Sequence, residues 1–156
     1  MTIYLVRHAQ AGKRDHWRDD DQLRPLTEVG HEQAVELALR FDSVAVPQVL
    51  SSPYLRCMQT LEPLARRKAL EVEPTGILAE GHAFVAVIDL LLAVPEHTVL
   101  CSHGDVIPET IEALCRRGMD VAGTPDWRKG TTWLLERDGD RFTHASVWAP
   151  PLREPR

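Results

Sequence analysis

The chain has 156 residues, of which 44% are hydrophobic and 26% charged, and a formal net charge of −5. That length carries one domain with a full core and falls short of two. The acidic balance argues against a general nucleic-acid or membrane-surface binder, while leaving room for a local basic pocket.

The first apolar run, Ile3–Val6, reads as a buried strand and ends abruptly at Arg7-His8. A polar segment from Gln10 to Pro25, rich in Asp and Arg, reads as a long loop; loops of this length in small domains are usually functional. Thr27 is placed to cap a helix reaching about Phe41, with Ala34, Leu37, Ala38 and Phe41 on one face. "PQVLSS" is a second short strand. Ser52 is expected to cap the next helix, with Pro53 at its first position, running to about Arg67 and burying Leu55, Met58, Leu61 and Ala65. "LEVEP" reads as an edge strand, and His82 to Ala93 as a helix burying Phe84, Val85, Ile88, Leu91 and Leu92. "HTVLCS" is another apolar strand, ending at "HGD"; a helix from about Val106 to Arg117 follows and stops at Gly118. "TTWLLERDGDRFTHASVW" is a terminal hairpin turning at Asp138-Gly139-Asp140, and the Pro-rich tail from about residue 149 is expected to be flexible.

Cys57, Cys101 and Cys115 form no metal-type C-x-x-C pair, and no leader pattern precedes Arg7, so a reduced, cytoplasmic protein is expected. The longest apolar stretch contains Asp89 and is too short to span a bilayer. Strands alternating with helices predict a single α/β domain over residues 1–156: a three-layer α/β/α sandwich on a mostly parallel sheet. In such sheets ligands sit beyond the carboxyl ends of the strands. Three strand ends then matter: Arg7-His8, Ser51-Ser52 with Arg56 one turn further on, and Ser102-His103. If these strands are neighbours, two guanidiniums and two imidazoles meet in one crevice. Guanidinium geometry and helix N-termini suit a phosphoryl dianion better than a carboxylate. An imidazole beside a bound phosphoryl group can attack phosphorus and divide one difficult step into two.

"LVRHA", "RPLTEVG", "SSPYLRCMQT" and "CSHGD" together, in this order and over nearly the whole chain, resemble the histidine phosphatase superfamily with its phosphoglycerate-mutase-like fold. The compact length and "RPLT" are most similar to SixA-type phosphohistidine phosphatases. They also resemble the small histidine phosphatase domain fused to MutT-type (Nudix) domains in some actinobacteria, for which these 156 residues leave no room. The resemblance implies a metal-independent phosphatase with His8 as the phosphorylated nucleophile, Arg7 and Arg56 holding phosphoryl oxygens, and His103 completing the pocket. No metal or cofactor is implied. Ala9 stands where the family usually has glycine, which is tolerable if its φ is negative.

Family members that cleave esters place an acid after the third strand. Here Glu80 is the candidate proton donor, with a solvated residue before a helix as its other reading. Gln10, Lys13, Arg14, Trp17 and His82 are possible substrate contacts. Trp17 is equally a loop anchor, His82 a helix-start histidine, and Lys13 and Arg14 solvated loop charges. "WRKGT" around Lys129 resembles the family's approach to the penultimate strand. The expected partner is a phosphorylated small molecule or nucleotide, or a phosphohistidine-bearing protein, with neither a nucleic-acid polymer nor a membrane involved; nothing in the sequence sets an oligomeric state. A mutase would need a closed site built from extra segments. The competing reading is a non-catalytic phosphate-binding or regulatory module of the same fold.

Overall fold

The computed structural model of the protein describes residues 1–151. Its strands are β1 (Thr2–Arg7), β2 (Val49–Ser51), β3 (Val72–Pro74), β4 (Val99–Ser102), β5 (Asp120–Val121), β6 (Thr132–Asp138) and β7 (Arg141–Trp148). They form one sheet in the order β3-β2-β4-β1-β6-β7-β5. β3, β2, β4 and β1 are parallel, β6 runs antiparallel to both β1 and β7, and β5 pairs in parallel with β7. The sheet is thus mostly parallel, as expected, with β3 at one edge.

Side chains alternate across the central strands and divide the core in two. Ile3, Leu5, Leu50 and Leu100 pack with α3 (Phe84–Ala93) and α4 (Val106–Arg116). Tyr4, Val6, Val49, Val99 and Cys101 pack with α1 (Glu28–Leu39) and α2 (Leu55–Arg67). This is the expected three-layer sandwich. Thr27 caps α1 by accepting from the Gly30 N–H, as its position predicts.

The structure corrects several expectations. α2 begins at Leu55, not Pro53, and the Ser52 hydroxyl does not cap it; that hydroxyl lies 2.8 Å from His103 Nε2 and accepts from the Tyr54 N–H. The buried face of α2 is Cys57, Thr60, Leu61, Leu64 and Ala65, with Leu55 and Met58 half-buried. α3 begins at Phe84, because Gly81 takes a φ of +80° and the chain turns there first. Val87, Ile88 and Leu91 are buried and Phe84 and Leu92 pack half-buried against the same core, as expected, while Val85 is 52% exposed. β5 has no signature in the sequence, since two residues carry no periodicity. The Gln10–Pro25 segment is more ordered than a plain loop: it holds 3₁₀ turns at Arg14–His16 and Asp21–Leu23, the second capped by the Asp20 carboxylate, and an isolated bridge between Ala11 and Leu26. The expected flexible tail lies mostly outside the described residues. At its start, the Ala149 carbonyl accepts from Arg40 Nη1 at 2.6 Å and Pro150 is buried.

Candidate active site

Register brings the three strand ends to one edge. Arg7 pairs with Ser102 across β1 and β4, and Ser51 with Cys101 across β2 and β4. Just past the strands, the His8 N–H donates to the Ser102 carbonyl and the Ser52 N–H to the Cys101 carbonyl. Beyond this edge opens a cleft of about 490 Å³ lined by Arg7, His8, Gln10, Lys13, Arg14, Arg24, Arg56, Glu80, His103, Gly104, Asp105 and Lys129, among others.

His8 is buried, and its Nδ1 lies 2.8 Å from the Ala9 carbonyl. A carbonyl only accepts, so Nδ1 carries the proton and Nε2 keeps the lone pair. Burial pushes the His8 imidazole down to about 3; His103, Arg56 and Arg7 add to the effect and the Ala9 hydrogen bond opposes it. The ring is therefore neutral across the physiological range. Ala9 does not take a positive φ, so the missing glycine costs no backbone strain. Its N–H donates to Thr60 Oγ1 at 3.0 Å, and that hydroxyl donates to the Arg56 carbonyl at 2.7 Å, linking the His8 loop to α2.

His103 stands edge-on to His8, ring centroids 5.6 Å apart. Ser52 Oγ accepts from the Tyr54 N–H, so its own hydrogen is free to go to His103 Nε2. That assignment leaves the proton on Nδ1, which is buried and has no hydrogen-bond partner among the described residues.

Arg7 lies across Gly104: a Cβ there would meet its guanidinium atoms at 2.5 to 2.8 Å, so any larger residue would push the guanidinium aside. Arg7 Nη1 donates to the Trp127 carbonyl. Burial lowers the Arg7 pKa, with Asp105 acting in the opposite sense. Arg56 is fully buried in the first turn of α2. Its Nη1 donates to the Asp21 carbonyl at 2.8 Å and its Nη2 to Asp21 Oδ2 at 3.1 Å, with Glu80 Oε2 at 3.6 Å. Arg7 Nε and Arg56 Nε join His103 Nδ1 as buried groups without hydrogen-bond partners. Arg7, Arg56 and His103 line the cleft beside the neutral His8, and two guanidiniums there suit an anion with several acceptor oxygens.

Of the remaining predicted residues, Gln10, Lys13, Arg14 and Glu80 line the cleft. Glu80 Oε1 accepts from Arg14 Nη2 at 2.7 Å. Trp17 and His82 do not line it: Trp17 Nε1 donates to the Asp20 carbonyl, and His82 Nδ1 lies 3.3 Å from the Ala83 carbonyl. Sequence reasoning gave no role to Asp21, Arg24, Asp105 or Gly104. Arg24 and Asp105 carried a signal, since they sit inside the "RPLT" and "HGD" strings; Asp21 carried none. Arg24 is buried, donates through Nε to Asp21 Oδ1 at 2.8 Å and through Nη1 to the Gly12 carbonyl. Asp105 accepts from the Gly81 N–H at 2.7 Å. Cys101 is fully buried, which pushes its thiol well up and fits an inert residue.

The Histidine phosphatase superfamily (branch 1) matches residues 3–85. An 8-oxo-(d)GTP phosphatase from Mycolicibacterium smegmatis (strain ATCC 700084 / mc(2)155) is 32% identical over 157 residues, covering 96% of this chain and 48% of that protein. The chain thus spans about half the length of this relative. Among solved structures, the protein histidine phosphatase SixA complexed with tungstate superposes with a TM-score of 0.74 at 23% identity, covering 92% of this chain and 93% of that one. A mycobacterial glucosyl-3-phosphoglycerate phosphatase in complex with VO3 gives 0.69 at 19% identity, covering 94% and 98%. At such identities the structures establish a shared fold, and it is the phosphoglycerate-mutase-like one. No helix among the described residues is long and apolar enough to cross a membrane.

Proposed function

The chain belongs to the histidine phosphatase superfamily, and from that premise we propose that it is a metal-independent phosphatase working through a covalent phosphohistidine on His8. The observation that carries this reading is the meeting of Arg7, Arg56 and His103 in one cleft with a neutral His8 whose Nε2 keeps its lone pair.

In the proposed reaction the two guanidiniums and His103 bind the phosphoryl oxygens. His8 Nε2 attacks phosphorus, an N–P bond forms and the bond to the leaving group breaks. The donors stabilise charge spread over the transferring oxygens. Glu80, in its acid form, is the proposed proton source for the departing oxygen; an anhydride or phosphohistidine leaving group asks less of it. Water then attacks the phosphohistidine, its proton passes to the Glu80 carboxylate, the N–P bond breaks and free His8 returns. The substrate is a protein phosphohistidine, as for SixA, or a small phosphometabolite or nucleotide, as for the 8-oxo-(d)GTP phosphatase. Three free thiols support a reducing, cytoplasmic setting.

The test is steady-state hydrolysis of p-nitrophenyl phosphate and of phosphohistidine in excess chelator, wild type beside His8→Ala. Turnover in wild type that vanishes in His8→Ala is the expected result. Phosphate binding without product would make the chain a regulatory binding module, and an unchanged His8→Ala would remove the covalent mechanism.

A further inference from the structure

The cleft holds more positive charge than one phosphoryl group needs. Arg7, Lys13, Arg14, Arg24, Arg56 and Lys129 line it, against Glu80 and Asp105. Asp21 supplies one more carboxylate, shared among Arg14, Arg24 and Arg56. Glu80 is shared between Arg14 and Arg56. Each cleft arginine has a hydrogen-bonding or ionic partner, whereas the amines of Lys13 and Lys129 have neither among the described residues; of the two, only Lys129 lies on a segment tied to the Arg7-His8 pair.

The backbone that carries Lys129 is held in place. The Gly130 N–H donates to both the Arg7 and His8 carbonyls at 3.1 Å, and the Trp127 carbonyl accepts from the Arg7 guanidinium. Residues 127–130 are therefore pinned at both ends to the Arg7-His8 pair. Gly130 takes a φ of +86°, and a Cβ there would come within 3.2 Å of Pro150, so this turn is specific to glycine. Burial, and then the guanidiniums of Arg7, Arg24, Arg56 and Arg14, depress the Lys129 amine below its ordinary value. Lys129 is exposed at the cleft it lines, and the positive charge it shares there with the nearby guanidiniums favours binding of a further anion. Its neighbour Arg128 differs: it lies outside the cleft lining and pairs with Asp126 at 2.6 Å.

We propose that Lys129 contacts a second phosphate of the substrate, so that the cleft selects a phosphoanhydride chain, such as a nucleoside diphosphate, over a lone phosphomonoester. The proposal rests on the reading above, in which the reacting phosphoryl group sits at His8, Arg7, Arg56 and His103. The adjacent phosphate then lies toward Lys129, where a compact ammonium acts as a point-charge ligand.

The experiment compares ADP, inorganic pyrophosphate and p-nitrophenyl phosphate as substrates in excess chelator at about 0.2 M salt, where charges more than roughly 8 Å apart are largely screened. In Lys129→Ala, KM for ADP and pyrophosphate is expected to rise at least about 10-fold, or about 1.4 kcal/mol. With p-nitrophenyl phosphate, kcat/KM falls by no more than about 3-fold in the same variant, the residue of incompletely screened attraction. Lys129→Arg retains most of the diphosphate affinity, and Arg128→Ala, which removes the same charge one residue away, leaves all three substrates within about 2-fold. Equal losses on all three substrates, or none on the diphosphates, overturn the proposal. So does a wild type that cleaves p-nitrophenyl phosphate but neither diphosphate, a result that leaves the His8 mechanism standing. A wild type inert on every substrate fails that mechanism as well.

Discussion

Asp21 grips Arg56 twice, through its backbone carbonyl at 2.8 Å and its carboxylate at 3.1 Å. The other carboxylate oxygen accepts from Arg24 at 2.8 Å and lies 3.7 Å from Arg14 Nε. One residue of the first loop thus sets the direction of a buried guanidinium on α2. Burial works against the ionised carboxylate, and the three arginines outweigh it, holding Asp21 below the usual carboxylate range. Replacing Asp21 by Asn removes the carboxylate partner of Arg24 and leaves Arg56 with that of Glu80 alone, at 3.6 Å. Hydrolysis of p-nitrophenyl phosphate by Asp21→Asn is expected to lose about 10-fold in kcat/KM, chiefly through KM, because the guanidinium is mis-aimed rather than removed. Unchanged kinetics would show that Arg56 is positioned by α2 alone.

Gly104 and Arg7 occupy one another's space. A methyl group at Gly104 meets three Arg7 guanidinium atoms inside 3 Å, so the guanidinium must move to make room for it. Gly104→Ala is therefore expected to reduce kcat/KM by about 100-fold, the scale of losing one charged contact to a transferring phosphoryl group. In an Arg7→Ala background the same glycine change should cost no more than about 3-fold, since the clash has gone. Additive losses in this double-mutant cycle would mean that Gly104 acts on something other than Arg7.

The buried His8 ties stability to pH. Its folded pKa is about 3, against 6.5 for a free imidazole. Between those values the unfolded chain binds a proton that the folded chain does not, so acidification destabilises the fold, and the full benefit is present only above about pH 6.5. For this group alone the loss from pH 7.5 to pH 5 is of order 2 kcal/mol. Asp21 adds a loss of the same sign at lower pH, as its carboxylate is protonated. Denaturant unfolding at the two pH values should show a clearly smaller drop for His8→Asn than for wild type. Parallel drops would place the acid sensitivity elsewhere.

Glu80 sits between Arg14 at 2.7 Å and Arg56 at 3.6 Å, at the cleft rather than on the solvated surface. A proton donor at this position matters most where the leaving group is basic. Glu80→Gln should slow an alkyl phosphate by about 100-fold and p-nitrophenyl phosphate by less than 10-fold, the range of a positioned general acid. Equal slowing of both would make Glu80 a partner of the arginines and no donor.

Much of this was legible in the chain itself. Apolar runs with β-branched residues mark the strands, and a strand that stops at a charged or hydroxyl residue marks its carboxyl end. Arg7-His8, Ser51-Ser52 and Ser102-His103 are such ends, and with the strands in parallel register they meet. Caps were less legible. Ser52 has the side chain of a helix cap, but its hydroxyl is used by His103, 51 residues away, so α2 starts two residues later than local chemistry suggests. A hydroxyl takes the partner that the fold brings to it, and proximity in sequence carries no information about that partner.

The amino-acid sequence by itself determined the layers, the parallel centre of the sheet and the pairs of basic and imidazole residues at its edge, because periodicity and strand-end chemistry are local properties. Tertiary structure alone decided how those residues are held. Asp21 lies 35 residues from Arg56, and Arg14 lies 66 from Glu80. The Trp127 carbonyl reaches Arg7 across 120 residues. Trp17 and His82, polar-tipped residues on plausible loops, turned away to backbone carbonyls. Charge pairing inside a cleft depends on distance and burial, and both exist only once the chain has folded.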